Sequence, residues 1–426
     1  MKKNHTLPFI LILIIFLAGC RAGHNTPPLS ASISGGVKYY DSSQLQPGVI
    51  LLDMVTKCEL IDRQGNSLKK YPFGLVKLLD DGNILGRADS LLVKVDPDLN
   101  IIWEKIFKFQ IHHEITVDDS GNIYLFTPDV HKFMGLDIRF DVINIFSPEG
   151  KLIYKWCVYD HLKDFVSAIS KSAWLKHLPV SYEESASLEE YIKQDPERFI
   201  IPTDADCNCS FEFSHFNALQ VLPENPVSSK IPAFKKGNLL LSFHPYSCYG
   251  ILNTSSGRIE WVGYLPERTR LHSPQLTPDN TILVFQNCTS TDWTPHGDED
   301  SLHAILNQNI PHQLQSHKPE SRLWASVTEY DPLTNNKIWE YTAEPKESLC
   351  ASSRGSAQRL PNGNTLVCAT TREKGGRVFE LTPEKKIVWD YTYPSNESHD
   401  SIPANFYRAK WFSFEFAEKF LHAPKH

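Results

Sequence analysis

The sequence predicts an all-β fold: a six-bladed β-propeller in which strands from the N- and C-terminal parts of the chain together close the last blade. One observation behind this prediction is a unit that occurs five times. Each copy has a Gly-Asn or Asp-Asn turn, an apolar strand, a second turn containing Pro or Gly, and a last strand that reaches a Trp. A second observation is size, because each unit is about as long as one four-stranded blade. A third is that strand-like segments near both chain ends remain for a sixth blade.

The five units follow one another along the chain with the same order of landmarks. A single blade cannot bury both of its apolar faces, whereas radial stacking of several blades covers all of them. The first turn, second turn and closing tryptophan of each unit are Gly82-Asn83, Asp96-Pro97 and Trp103; Gly121-Asn122, Ser147-Pro148 and Trp156; Gly237-Asn238, Ser256-Gly257 and Trp261; Asp279-Asn280, Asp331-Pro332 and Trp339; and Gly363-Asn364, Thr382-Pro383 and Trp389.

The sixth blade is predicted to be split between the chain ends. Residues 49–52, 58–61 and 67–71 supply three strands, and residues 406–411 supply the innermost one. Closing the ring in this way removes the unpaired edge that an open array of strands would leave. A β-sandwich built from hairpins is the alternative, but the unit ending in Trp recurs too regularly to favour it.

Two segments interrupt the predicted propeller, which spans residues 47–415. Residues 160–210 form an insertion with helical character at 162–176 and 187–193, and Ser187 with Glu190 has the pattern of a helix N-cap. Residues 289–320 form a long polar loop without periodicity. Its four histidines have irregular spacing, which favours solvated side chains over a metal site. A C-terminal tail, residues 416–426, follows the propeller.

The N-terminal residues 1–20 have the features of an export signal: two lysines, an apolar stretch too short to span a bilayer comfortably, and small residues before Cys20. The segment resembles a bacterial lipoprotein signal, which implies lipidation of Cys20, a flexible tether over residues 21–46 and a membrane partner through the lipid anchor. Arg21 after the anchor favours the outer membrane and a periplasmic location in the cell envelope. A signal anchor that is never cleaved is the alternative.

Composition excludes some classes of partner. There are 43 Lys and Arg against 50 Asp and Glu, so no nucleic-acid partner is expected. Eight cysteines remain beyond Cys20, an even number that permits disulfides whose pairing the spacing does not reveal. Cys207 and Cys209 would need further ligands for a metal, so no metal and no cofactor are predicted. The sequence leaves the oligomeric state open.

Three histidines are predicted to meet at the centre of the ring. His113 lies eight residues before Gly121 and His272 seven before Asp279, and His215 has a similar place before the third unit if 223–234 is a loop. The strand before this turn is innermost in a propeller, so these side chains would point to one axial channel. Strand alternation would put Asn217 on the same face as His215. Two cations, Arg354 and Arg408, are expected at the same level, and the whole set would suit a small oxyanion.

The residues around these positions resemble the bacterial arylsulfate sulfotransferase family, periplasmic six-bladed propellers that transfer a sulfuryl group between phenols without a nucleotide donor. The resemblance covers residues from about 71 to 411. The segments that carry it are His112-His113-Glu114, Ser214-His215-Phe216-Asn217-Ala218, Leu271-His272-Ser273-Pro274-Gln275 with Val284-Phe285-Gln286-Asn287, and Ser356-Ala357-Gln358-Arg359-Leu360-Pro361.

The resemblance implies roles for individual residues. His272 would be sulfated transiently, while His113, His215 and Asn217 would hold sulfuryl oxygens or move a proton. His244 stands where the family has an arginine, so it is assigned to substrate binding with fewer donors and a conditional charge. The implied partners are an aryl sulfate and a phenolic acceptor. The alternative function is a non-catalytic propeller lipoprotein that binds a sulfated ligand or a protein partner.

Overall fold

The computed structural model describes residues 36–176, 178–202, 211–288, 324–371, 375–393 and 406–421. These residues form six sheets, each built on four antiparallel strands. Successive blades contact one another through their inner strands, and the sixth blade contacts the first and the fifth. The prediction of an all-β, six-bladed β-propeller is confirmed.

The chain enters the ring at its last two blades. Strand β1 (Val37–Tyr40) adds a fifth, outermost strand to blade 5, where Tyr40 lies opposite Trp389. The prediction of a flexible tether up to residue 46 is therefore wrong for its last part, because residues 37–40 make ladder hydrogen bonds. Three strands of blade 6 follow: β2 (Val49–Asp53), β3 (Cys58–Ile61) and β4 (Ser67–Tyr71).

Blades 1 to 5 then follow in sequence, each from its innermost strand outward. Blade 1 has β5 (Gly74–Leu78), β6 (Ile84–Ala88), β7 (Leu91–Val95) and β8 (Ile101–Ile106); blade 2 has β9 (His112–Val117), β10 (Ile123–Phe133), β11 (Leu136–Phe146) and β12 (Leu152–Cys157), with β13 (Ile201–Pro202) and β14 (Phe211–Glu212) added beside β11; blade 3 has β15 (Leu219–Val221), β16 (Leu239–Phe243), β17 (Cys248–Asn253) and β18 (Arg258–Tyr264); blade 4 has β19 (Leu271–Leu276), β20 (Ile282–Gln286), β21 (Ser326–Tyr330) and β22 (Lys337–Thr342); blade 5 has β23 (Ser356–Arg359), β24 (Thr365–Thr371), β25 (Gly375–Leu381) and β26 (Ile387–Thr392).

Strand β27 (Arg408–Phe412) closes the ring as the innermost strand of blade 6, pairing antiparallel with β2. Residues 414–421 after it form a helix, Phe414–Leu421, in which Ala417 and Phe420 are buried against blades 6 and 1. The prediction of a C-terminal tail from residue 416 is thus wrong over the first part of that segment. An apolar helix face that can be buried against the sheet explains the difference.

The core consists of six apolar clusters among the described residues, one between each pair of neighbouring blades. Because side chains alternate along a strand, each second strand serves two clusters. In β20, Ile282 and Val284 pack toward blade 3, while Leu283 and Phe285 pack toward blade 5. This double burial explains why the second strand of each repeat is apolar at consecutive positions.

Four of the five closing tryptophans donate a hydrogen bond to the next blade. The indole N–H of Trp103 donates to Pro148 O at 3.2 Å, that of Trp156 to Gly257 O at 2.8 Å, and that of Trp339 to Pro383 O at 3.0 Å. Each acceptor lies in the second turn of the following blade. Trp389 of blade 5 donates to Arg63 O of blade 6 at 2.7 Å, which extends the pattern across the closure. A tryptophan suits this place because it combines a large apolar ring with one donor.

The first turn of each unit needs a left-handed residue. Gly82 has φ of 85° and Gly121 of 80°, and Asn280 takes the same conformation with φ of 64° in blade 4. Glycine adopts this region without steric cost and asparagine tolerates it, which explains the Gly-Asn and Asp-Asn signature.

The insertion carries helices α1 (Leu162–Ile169) and α2 (Leu188–Lys193), and the C-terminal helix is α3. Helix α1 ends before the predicted residue 176, and Ser187 caps α2 by accepting from the Glu190 backbone N–H at 3.2 Å. No helix among the described residues is long and apolar enough to cross a bilayer. The predicted signal, Cys20, the tether to residue 35, Cys207, Cys209 and the loop 289–320 lie outside the described residues.

Candidate active site

Five imidazoles form a continuous row at the entry to the inner strands of blades 2, 3 and 4. Ring centroids are 5.0 Å apart for His112 and His113, 4.6 Å for His113 and His215, 5.2 Å for His215 and His244, and 4.7 Å for His244 and His272. The structure thus brings His113 into contact with His215 and places His272 two rings further along. His112 is an additional member that was not assigned from the sequence.

A bulge in β9 turns two neighbouring histidines toward each other. His112 pairs with Phe126 and Ile115 with Leu125, so His113 and Glu114 are extra residues without ladder partners. His113 adopts a left-handed φ of 59°. Adjacent side chains in a regular strand would point to opposite faces, whereas here Nδ1 of His112 and Nδ1 of His113 are 2.8 Å apart.

The same bulge corrects the register derived from the sequence. In blade 4, His272 pairs with Phe285, and the equivalent pair in blade 2 is His112 with Phe126. His272 therefore corresponds in the ladder to His112, and His113 reaches the row only because of the inserted residues.

Three of the imidazoles link two buried carboxylates. Glu212 Oε1 is 2.8 Å from Nδ1 of His215, whose Nε2 is 3.0 Å from Nε2 of His113. Beyond the 2.8 Å contact to His112, Nε2 of His112 lies 3.2 Å from Asp141 Oδ1. We call the three residues His112, His113 and His215 the histidine relay.

The Arg139 guanidinium closes this chain into a loop. It donates to Glu212 Oε2 at 2.5 Å and to Asp141 Oδ1 at 3.3 Å. Burial alone would raise the pKa of both carboxyl groups, but Arg139 and the nearby imidazoles outweigh it, so both values are lowered. The two carboxylates are therefore ionised at neutral pH.

The relay has room for one more proton. It makes four contacts, two with carboxylates and two between rings, and three neutral imidazoles carry three N–H protons. One of the four contacts therefore lacks a proton when all three rings are neutral. A single added proton, together with rearrangement of the tautomers, would supply a proton to all four contacts. Burial opposes this protonation by lowering the pKa of His112 and His113, and Nε2 of His112 has no well-directed hydrogen bond to Asp141.

The contacts of His272 decide its tautomer. Asn287 Nδ2 donates to Ala351 O at 3.0 Å and to Arg354 O at 2.7 Å, which orients Oδ1 toward Nδ1 of His272 at 2.6 Å. Because Oδ1 can only accept, Nδ1 carries the proton and Nε2 holds a lone pair. That lone pair accepts the Arg354 backbone N–H at 3.2 Å. Nε2 is thus the ring nitrogen with the lone pair.

Asn217 holds His244. Its Nδ2 lies 2.8 Å from Nδ1 of His244 and donates to Leu271 O at 2.9 Å, and its Oδ1 accepts from the Ser242 hydroxyl at 2.5 Å. The amide is fully buried, and its hydrogen bonds are to groups of the protein. Residues 213–218 are not a strand, so the alternation that paired Asn217 with His215 does not apply.

The two arginines expected at the cavity have other partners. Arg408 is buried, forms an ion pair with Glu114 and donates to His113 O. These contacts hold the bulge that carries His113, and the predicted role of Arg408 in substrate binding stays a prediction. Arg354 reaches His272 through its backbone, and its guanidinium makes no hydrogen bond or ion pair with the described residues.

Burial keeps four of the five imidazoles neutral. It lowers the pKa of His272 to about 3 and that of His112 to about 4, and it lowers the pKa of His113 and His244 well below the usual value. Desolvation penalises the charged form and is the largest cause in all four. A neutral imidazole is the nucleophilic form.

Two further residues at the row were missed from the sequence. The Tyr407 ring lies 5.7 Å from that of His113 and 6.4 Å from that of His272. Arg270, two residues before His272, bears a charge that lowers the pKa of His272 and His244. Arg270 could have been found from the sequence because it lies two residues before His272. The position of Tyr407 beside the row could not, because it depends on how the last blade closes the ring.

A family model described as Arylsulfotransferase (ASST) matches residues 61–394. The chain belongs to the arylsulfotransferase family. Arylsulfotransferase membership suggests sulfotransferase activity, with aryl sulfates and phenols as the general classes of substrate. No curated protein is similar to the chain at a significant level.

Solved structures with related folds are distant from this arylsulfotransferase-family chain. A protein of unknown function from Bacteroides caccae is 11% identical, with 85% of this chain and 99% of that chain covered and a TM-score of 0.47. The Neurospora crassa Pan2 WD40 domain is 8% identical, with 84% and 79% covered and a TM-score of 0.38. Similarity at this level says nothing about the chemistry of the site.

The imidazole row is closely packed. The 3.0 Å contact between the Nε2 atoms of His113 and His215 leaves no space for a sulfuryl group between them, so an anion entering there has to separate the rings. Two cavities, of about 390 and 220 Å³, lie beside α1 and β18 on the outer flank of blade 3, away from the row.

Proposed function

We propose that this protein transfers a sulfuryl group from an aryl sulfate to a phenol through a sulfohistidine at His272, without a nucleotide donor. The observation that carries the proposal is the lone pair on Nε2 of His272, fixed by Asn287 on one side of the ring and by the Arg354 N–H on the other. A neutral, oriented imidazole is a suitable nucleophile for a tetrahedral sulfur.

In the first half-reaction, Nε2 of His272 attacks the sulfur of the aryl sulfate. The N–S bond forms, the bond from sulfur to the aryl oxygen breaks, and the phenolate leaves with the electron pair. Such a transfer passes through a loose transition state, so positioning and donors to the three sulfuryl oxygens supply most of the catalysis. We assign one such donor role to the guanidinium of Arg354, whose backbone N–H contacts Nε2 of His272.

In the second half-reaction, the oxygen of an acceptor phenol attacks the sulfur and the N–S bond breaks, which restores His272. The phenol must lose its proton in this step. We assign that proton to the histidine relay, because one of its four contacts lacks a proton while the three rings are neutral. Release of the proton to water, or to the phenolate of the next donor, resets the relay.

We also propose that the chain is a periplasmic lipoprotein of the bacterial envelope, anchored at the outer membrane through Cys20. The support is the sequence of residues 1–21. Metabolic labelling with a fatty acid tests it: the full chain should be labelled and sediment with membranes, and Cys20→Ser should lose the label.

The transfer itself is tested by mixing the full chain with 4-nitrophenyl sulfate and a phenol. We expect a burst of nitrophenol and, after rapid quenching, one sulfuryl group on the peptide that contains His272. His272→Asn should abolish both signals. An equal burst from His272→Asn would refute the assignment, and binding of the donor without any nitrophenol release by the wild type would support the non-catalytic ligand-binding alternative.

A further inference from the structure

A second group of potential ligands lies on blade 2, away from the imidazole row. Asp129 and His131 are two residues apart on β10, and Cys157 is the last residue of β12. The carboxylate, imidazole and thiol ligand atoms all lie within 4.8 Å of one another. None of these residues takes part in the proposed transfer.

The surroundings leave one of the three groups without a hydrogen-bond partner. Nε2 of His131 is buried without a hydrogen-bond partner, although Asp129 Oδ2 lies 3.6 Å away. The His131 ring stacks on Tyr159 at a centroid distance of 4.0 Å, which fixes its plane. A buried ring nitrogen without a partner, aimed toward a carboxylate and a thiol, is the usual state of a ligand in a metal-free site.

Cys157 would supply the sulfur ligand, and burial raises the pKa of its thiol to about 11, so only a bound cation would deprotonate it at neutral pH. Cys157 is buried and in no disulfide, and the backbone N–H groups of Tyr159 and Asp160 are directed at its sulfur. Such N–H groups stabilise a negatively charged sulfur. The nearby Asp160 acts in the opposite sense. Lys155 lies 3.1 Å from Asp129 Oδ2 and is half-exposed, so it can turn to solvent when that oxygen binds a cation.

We infer that Asp129, His131 and Cys157 bind one divalent transition-metal ion, with zinc as the ion that suits them. Mixed N, O and S ligands at tetrahedral positions are characteristic of zinc, and a water molecule would complete three protein ligands. A thiolate and a carboxylate together neutralise the two charges of the ion. Binding releases the thiol proton, since the metal replaces it on sulfur.

The place of the site indicates a structural role. The ion would tie the β10–β11 hairpin to the end of β12, where the helical insertion begins. Asp129 pairs across the ladder with Phe140, which lies between Arg139 and Asp141 of the relay loop. The metal would therefore stabilise the part of blade 2 that supports the relay.

Cobalt(II) is the probe, because a tetrahedral thiolate site gives a charge-transfer band in the near ultraviolet. The full chain, reduced and freed of metal with a chelator, is titrated with cobalt and then with zinc. We expect the band at one equivalent, its loss on addition of zinc, and a rise in Tm with zinc. Cys157→Ala should lose the band and the Tm rise, and His131→Gln should weaken cobalt binding at least about tenfold.

The matched control is Cys248→Ala, which removes another buried free thiol, from blade 3. It should retain the band and the response to zinc. Absence of the band in the wild type, or its persistence in Cys157→Ala, would overturn the inference. Because His131→Gln keeps the core cysteine, it tests the site even if Cys157→Ala folds poorly. The readouts do not depend on sulfuryl transfer, so the two proposals fail separately.

Discussion

Asn287→Asp changes one atom of the candidate active site and has two calculable consequences. The amide nitrogen donates to Ala351 O and Arg354 O, and both contacts are lost when an oxygen replaces it. An unsatisfied buried carbonyl costs about 1–3 kcal/mol, so the two cost about 2–6 kcal/mol. The hydrogen bond from the Nδ1–H of His272 is stronger to a carboxylate than to an amide oxygen, which stabilises the folded state by on the order of 1 kcal/mol. The free energy of unfolding should therefore fall by about 1–5 kcal/mol.

The same substitution should raise the pKa of His272. In the wild type, burial lowers this pKa to about 3, and a carboxylate beside Nδ1 favours the protonated ring. Donor consumption falls in acid as Nε2 becomes protonated, so the midpoint of that fall should move to higher pH in Asn287→Asp. Urea unfolding at pH 7 measures the first effect, and the pH dependence of the nitrophenol burst measures the second.

Asn225→Asp is the matched control for this experiment. The Asn225 amide donates to Pro223 O and Phe234 O, each at 2.8 Å, and its Oδ1 accepts from the Ser228 N–H at 3.2 Å. It should lose similar stability and leave the pH dependence of the burst unchanged. If Asn287→Asp keeps wild-type stability, or if its burst titrates as in the wild type, the assignment of the His272 tautomer through Asn287 is wrong.

Two further predictions concern the stability of the fold. The pKa values of His272 and His112 are about 3 and about 4, below the value of about 6.5 in an unfolded chain. Between the folded and unfolded pKa values, the unfolded state binds more protons than the folded state. The free energy of unfolding therefore falls as the pH falls through this range. Between pH 7 and pH 5, each ring should lower the free energy of unfolding by about 2 kcal/mol. In urea unfolding, His272→Gln should show a smaller decrease between these two pH values, by about that amount. A decrease as large as in the wild type would contradict the lowered pKa of His272. The Cys288–Cys350 disulfide closes a loop with a sequence separation of 62. Cys350→Ser should therefore lower the free energy of unfolding by about 4 kcal/mol in urea unfolding. A decrease below about 1 kcal/mol would argue against a stabilising role of this disulfide.

The propeller could be predicted because its determinants are local and repeated. A left-handed turn residue, an apolar second strand and a closing tryptophan are each visible within about ten residues. Trp103 and Trp156 illustrate the physical reason, since each donates to the second turn of the next blade and so has a place in every unit. The N-terminal strand β1 and helix α3 were not predicted, because neither belongs to the repeat.

The site was only partly predictable. The sequence singled out His113, His215 and His272, but the shared register behind that choice was off by one residue, because the bulge in β9 holds one residue more than the bulge after His272 in β19. The roles expected of Asn217 and Arg408 depended on side-chain direction. The partners that decide them, His244 and Glu114, come from sequence positions 27 and 294 residues away.

By itself, the amino-acid sequence determined the ring of six blades, the split closure and the residue types at the axis, because these follow from periodic patterning that each blade satisfies locally. Only the tertiary structure decided which of the histidines touch, which nitrogen of His272 carries the proton, and that three rings bridge Glu212 and Asp141. The physical reason is range: hydrogen-bond geometry and desolvation act over a few ångströms between blades, and the sequence does not encode those distances in its spacing.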